Sequence, residues 1–174
     1  MNKILISAAL LSALVYGGNL KFQSGYIKAH TSVFGDSTID PTFHSANSRL
    51  TMGKTIDTLK GTIEVSMKNF ASDNKDRDNH MQEALDSSSF PKATYNISSV
   101  TENGGDKYTL NGTLSLHGVS KPLSFDGTIT NADKTVHIKA RSKINMTDYG
   151  IKQPKMVLLT VRNQVDLSVD ILVK

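Results

Sequence analysis

Strict alternation of apolar and polar residues is the feature that most constrains this chain. Leu59, Gly61, Ile63, Val65 and Met67 share one phase, while Lys60, Thr62, Glu64, Ser66 and Lys68 share the other. The pattern returns in Tyr108, Leu110, Gly112, Leu114 and Leu116, and again in Leu123, Phe125, Gly127 and Ile129. Val136, Ile138, Ala140, Ser142, Ile144 and Met146 make a longer stretch, and Val165, Leu167, Val169, Ile171 and Val173 close the chain. Successive side chains of a strand point to opposite faces, so a period of two means strands with one apolar and one hydrated face. Antiparallel sheet packed on one side has this character.

Adding 26–34, 43–52 and 93–100 gives about eight strands. Asn103-Gly104-Gly105-Asp106 and Asn131-Ala132-Asp133-Lys134 read as tight hairpin turns, and Gly118-Val119-Ser120-Lys121-Pro122 as a further turn. The strand period fails from Asn69 to Pro91. There, Met81, Ala84 and Leu85 at helical spacing predict a short helix over Asp76 to Leu85. A second irregular stretch, Thr147 to Met156, carries the breakers Gly150 and Pro154. No repeat or linker divides the chain.

Such strands either pack as a sandwich or close into a barrel, which removes the edges and leaves an interior that is filled by side chains or holds one ligand. Gly61, Gly112, Gly127 and Ala140 fall on the apolar phase near the middle of their strands. Two readings stay open for them. They leave space inside for a ligand, or they let the strands bend at barrel corners.

At 174 residues the chain suits one domain with a sizeable core. It has no cysteine, which rules out disulfides, a thiol nucleophile and thiolate metal sites. Lys3, the apolar run Ile4 to Val15 and the small residues Gly17-Gly18 have the layout of a signal peptide. The expected organisation is therefore a signal peptide over 1–17 and a single domain over 18–174, in the periplasm or secreted. The net charge of +4 is spread over interleaved signs, as in Lys75-Asp76-Arg77-Asp78, without the concentrated patch that nucleic-acid binding needs.

Catalytic signatures are missing: there is no Gly-x-Ser-x-Gly elbow, phosphate-binding glycine loop or HExxH. His30, His44, His80, His117 and His137 lie on different predicted strands and loops, with none of the close spacings typical of zinc sites. The expectation is a protein that is not an enzyme and has neither a metal nor a cofactor.

Arg77-Asp78-x-His80-Met81 in the helical excursion, then Phe90-Pro91, then Tyr95 in the next strand, resemble the YceI-like family of secreted, polyisoprenoid-binding proteins. Tyr108 to Pro122 is similar to that family's Gly-x-Leu-x-x-x-Gly-Val-x-Lys-Pro hairpin, and Thr147-Asp148-Tyr149-Gly150 to its aromatic-Gly loop. The resemblance covers residues 25 to 174. It departs in the first strand, where Gly25-Tyr26-Ile27-Lys28-Ala29-His30-Thr31 and the following stretch to Pro41 replace the family's usual opening. It implies an all-β fold with one short helix: an eight-stranded antiparallel lipocalin-like β-barrel with a central apolar tunnel.

On this reading the tunnel and its mouth are formed by Leu59, Ile63, Val65, Met67, Phe70, Arg77, Asp78, His80, Met81, Leu85, Phe90, Tyr95, Ile97, Tyr108, Leu110, Leu114, Leu116, Phe125, Ile138, Ile144, Met146 and Tyr149. Asp78 would hold Arg77 in a bidentate pair, and His80 would meet a ligand's polar end. The implied function is to sequester or transport a long-chain apolar ligand: an isoprenoid, a quinone tail, a fatty acid or a fatty amide. The alternative is a non-enzymatic envelope stress or interaction protein with a packed barrel. Transient contact with a membrane surface and homodimerisation both stay open.

Overall fold

The computed structural model describes residues 18–33, 37–156 and 159–174. The predicted signal peptide, 1–17, and Phe34 at the end of the first predicted strand lie outside the described residues. The first half of the chain forms β1 (Gly18–Leu20), β2 (Phe22–Val33), β3 (Ser37–Ile39), β4 (Thr42–Phe43), β5 (Asn47–Met52) and β6 (Lys60–Ser66). The helix α1 (Lys75–Ala84) follows, then β7 (Lys92–Glu102), β8 (Lys107–Leu116), β9 (Val119–Ala132) and β10 (Thr135–Asn145). The short β11 (Lys155–Met156) and β12 (Leu159–Thr160) precede β13 (Gln164–Val173).

Two-residue turns fix the register of the wall. Leu116 faces Val119 across a turn in which His117 and Gly118 take φ of 51° and 75°. Ala132 faces Thr135 across Asp133 and Lys134, at 51° and 64°. Positive φ at both central positions is the geometry whose twist matches that of paired strands. The turn expected over Gly118 to Pro122 is thus confined to His117-Gly118, and Lys121 and Pro122 lie within β9. Pro122 is tolerated there because β10 pairs with β9 only from Asp126 onward, so that side of the ladder loses no bond at Pro122.

The strands pair antiparallel in the order β1-β5-β6-β7-β8-β9-β10-β13-β2-β3. β1 and β2 are consecutive and separated only by Lys21, whose backbone N–H and carbonyl both bond Lys174. One strand line therefore pairs with β5 through β1 and with β13 through β2, which curls the sheet into a barrel. Counting β1 and β2 as one, its wall has the eight principal strands that the alternation predicted. The predicted strand 43–52 is split instead. Its first residue, Phe43, ends β4, which pairs with Ile27 and Lys28 of β2 and bridges to Ala71 on its other side. β4 thus occupies the seam between β2 and the segment after β6.

The apolar phase points inward. At one end Leu50, Leu59, Ile129, Val136, Ile171 and Val173 are fully buried and, with Ile97, Val100, Tyr108 and Leu110, form a filled core. A smaller cluster of Phe43, Val65, Met67, Phe70 and Ala93 sits under α1, with Phe43 and Phe70 stacked 4.3 Å apart.

The inward glycines do not open space. A Cβ on Gly127 would lie 1.9 Å from the Lys139 carbonyl oxygen, and one on Gly112 would lie 2.3 Å from that of Asn96. Gly61 and Gly25 have φ of 122° and 121° and would strike the Arg49 and Asp170 carbonyl oxygens, both at 2.1 Å. Close approach of neighbouring strand backbones, rather than room for a ligand, requires these glycines.

On the outer wall His137 Nε2 lies 2.6 Å from Asp170 Oδ1, and Lys139 Nζ 3.6 Å from Oδ2. The hydrogen bond with His137, reinforced by the charge of Lys139, holds the Asp170 carboxyl below its ordinary value of 3.8. The unfolded chain therefore binds this proton first as pH falls. The stabilisation is complete above the ordinary aspartate value, near pH 4, and is lost as pH drops through the lower folded value. Asp170→Asn should lower the melting temperature at neutral pH, with the gap to the unaltered protein closing below about pH 4. A gap independent of pH in melting curves would remove this pair from the account.

Candidate functional site: an apolar cavity under a helical lid

Beyond the filled core the barrel holds a cavity of about 920 Å³. Its wall is the continuation of the same alternation. Ile63 and Val65 of β6, Tyr95 and Ile97 of β7, Leu110, Leu114 and Leu116 of β8, Phe125 of β9, and Ile138 and Ile144 of β10 all line it. Several inward apolar side chains, among them Ile27, Ile63, Leu116, Leu167 and Val169, are only half-buried because no other side chain reaches the space in front of them. The filled core closes the cavity at one end, with Ile97, Leu110, Phe125 and Ile138 belonging to both.

The helix α1 lies along the mouth. Asn74 caps it by accepting from the Arg77 backbone N–H at 3.0 Å, and Asp76 and Asp78 occupy its positive first turn. Gln82 docks it, its Nε2 donating to the carbonyls of Met67 (2.8 Å) and Phe70 (3.1 Å). Met81 and Leu85 supply its apolar contacts, while no residue of the helix is fully buried. A helix held by so few buried contacts is a low-stability element of the fold. Its mouth-facing side presents Arg77, His80, Asp76 and Glu83, and Lys155 completes a polar rim.

Tyr95 is the main polar group inside. Its hydroxyl lies 2.8 Å from the carbonyl oxygens of both Leu110 and Leu123 and shares its one proton between them, and its ring meets Phe125 edge-on at 4.9 Å. Burial pushes the phenol well above its ordinary value of 10.0, so it stays a neutral donor.

Met67, Phe70, Arg77, His80, Met81, Leu85 and Met146 join the wall residues already named around the cavity. Five expected residues are placed elsewhere. Leu59 and Tyr108 are packed into the filled core at the closed end. Asp78 turns away from Arg77 and accepts from the backbone N–H and hydroxyl of Ser72, at 2.8 and 2.6 Å. Arg77 instead donates to the Thr38 carbonyl at 3.1 Å. Phe90 packs its ring on His117 at 4.4 Å, and Tyr149 is buried with its carbonyl against His117 Nδ1. In each case a packing or capping partner outside the lumen captures a side chain whose phase or motif suggested the tunnel.

The lining also includes Ile27, Ala29, Ile39, Pro41, Phe43, Ala93, Ala140, Ile151, Val161, Val165, Leu167 and Val169, which the sequence-based set lacks. For β13 the signal was present, since Val165, Leu167 and Val169 share the inward phase. For β2 through β4 it was obscured by the unusual opening of the chain.

The fold is thus an antiparallel, lipocalin-like barrel with an apolar cavity beneath α1. The chain belongs to the YceI-like domain family, whose model matches residues 22–173. It is 27% identical over 175 residues to a UPF0312 protein of Pseudomonas putida strain W619, covering 95% of this chain and 90% of that one. The fold is similar to Burkholderia cenocepacia BcnA, with a TM-score of 0.76 at 14% identity over 85% of this chain and 95% of that one. It is also similar to a polyisoprenoid binding domain from Saccharophagus degradans implicated in plant cell wall breakdown. There the TM-score is 0.69 at 10% identity, over 90% of this chain and 98% of that one.

Proposed function

We propose that this protein is a periplasmic or secreted carrier that sequesters a long-chain apolar lipid, of isoprenoid or acyl type, in the barrel cavity. The observation that supports this most is the unfilled lumen of about 920 Å³, walled by apolar side chains and rimmed by polar ones. Each methylene moved from water into such a space contributes ~0.8 kcal/mol, so a long chain binds tightly with few polar contacts. The polar end of the ligand stays at the rim among Arg77, His80 and Lys155. Loading and release proceed by displacement of α1, none of whose residues is fully buried. The likeness to a polyisoprenoid binding domain favours an isoprenoid within this class. No chemical step is part of this role. A packed barrel acting only through its loops needs a filled interior, and the open lumen speaks against it.

Protein purified under native conditions should release lipid on organic extraction, identified by mass spectrometry and recovered unchanged after long incubation. Repeated recovery of empty protein that also takes up neither prenyl nor acyl chains would overturn the proposal, and so would chemical turnover of the cargo.

A further inference from the structure

We propose that Tyr95 sets the depth of the cavity and hence the length of chain it accepts, an inference that rests on the lipid-carrier reading. Tyr95 starts on β7 beside Leu114 of β8, yet its hydroxyl reaches the Leu110 and Leu123 carbonyls, one on β8 and one on β9. The side chain therefore leans over Gly112 toward the closed end. The space it uses is the space a Cβ on Gly112 would need, since that atom would lie 2.8 Å from the ring carbon Cζ and 2.9 Å from the hydroxyl. The hydroxyl proton shared between the two carbonyls and the edge contact with Phe125 fix the ring in that position.

The same ring touches two of the three buried apolar clusters of the barrel. It packs against the filled cluster at the closed end and against the cluster around Leu114 and Ile144, and it lines the cavity. Tyr95 thus stands at the boundary between filled and unfilled lumen. A tyrosine whose hydroxyl is satisfied by backbone carbonyls is a rigid stop, because swinging it aside would leave a buried hydroxyl unpaired. A chain descending from the mouth ends where this ring begins.

The test uses the full folded protein and a homologous series of straight-chain fatty alcohols, with affinity read by displacement of a fluorescent fatty acid. Binding to the unaltered protein should tighten about fourfold per added methylene until the chain meets the ring, and then level off. In Tyr95→Ala the break should move to longer chains, so that each methylene beyond the original break again adds about fourfold. Tyr95→Phe keeps the ring but loses the hydroxyl's hold on the two carbonyls, so its break should move less than that of Tyr95→Ala and its thermal stability should fall. Should Tyr95→Ala fail to unfold cooperatively, Tyr95→Leu, shorter but still apolar, serves in its place. An unmoved break in the folded shortened variant would overturn the inference while leaving the carrier reading intact, as would a break that moves equally in Tyr95→Phe. Failure of the unaltered protein to bind any member of the series would overturn both.

Discussion

Gly61→Ala should destabilise the barrel by roughly 3 kcal/mol or more, the scale of a strained backbone forced against a neighbouring strand. The added Cβ would sit 2.1 Å from the Arg49 carbonyl oxygen and 3.0 Å from the Leu50 Cα, both main-chain atoms of β5 that cannot rotate aside. It would also place an L-residue at φ of 122°. For a chain of this size the melting temperature should fall by roughly 10 °C. Gly104→Ala is the matching control. Its φ of 92° is also positive, but nothing lies within 4 Å of the added atom, so only the conformational penalty of about 1 kcal/mol applies. Equal, small shifts in thermal unfolding for the two variants would show that strand approach at Gly61 is not what the glycine serves.

A charge placed on the cavity wall should act on binding far more than on folding. Leu167 of β13 faces the lumen between Ala29 of β2 and Ser142 of β10 and is only half-buried. Leu167→Asp leaves the new carboxylate hydrated while the cavity is open, so the empty barrel should stay folded at a cost of about 1–2 kcal/mol for the lost apolar contact. A hydrocarbon chain entering the cavity would strip that water from an unpaired charge, which is several times more costly. Affinity for a long-chain alcohol or acid should therefore drop at least about 100-fold, an increment of roughly 3 kcal/mol. Retained affinity in a folded variant, measured by fluorescent-lipid displacement, would mean that the chain does not run along β13.

Much of this architecture is legible from alternation and turn chemistry. The pairs His117-Gly118 and Asp133-Lys134 hold the strands of two hairpins in register, and register decides which phase points inward. The helix is legible too. Met81, Ala84 and Leu85 at helical spacing mark it, and the predicted span Asp76 to Leu85 lies one residue from the observed Lys75–Ala84.

The candidate site is less legible, because period two states which face is inner but not what occupies the space in front of it. Tyr108 and Leu114 are on the same phase of β8, yet Tyr108 is packed into the filled end and Leu114 faces the cavity. The seam was hidden for another reason. β4 has two residues, too few to show a period, and its place beside β2 is fixed by the long-range bridge from Thr42 to Ala71.

The sequence by itself determined antiparallel strands with one apolar face, their hairpins and the helix that interrupts them, since all of these follow from local periodicity and backbone preference. Periodicity left barrel and sandwich both open, and only the family resemblance implied closure. Only the tertiary structure decided the purpose of Gly61, Gly112 and Gly127, because an inward glycine reads the same whether it faces a void or a neighbouring carbonyl. It also decided where the lumen stops being filled. That depends on how side chains from several strands meet, such as Tyr95 reaching across β8 to the Leu123 carbonyl of β9, and no single segment of the chain encodes such a meeting.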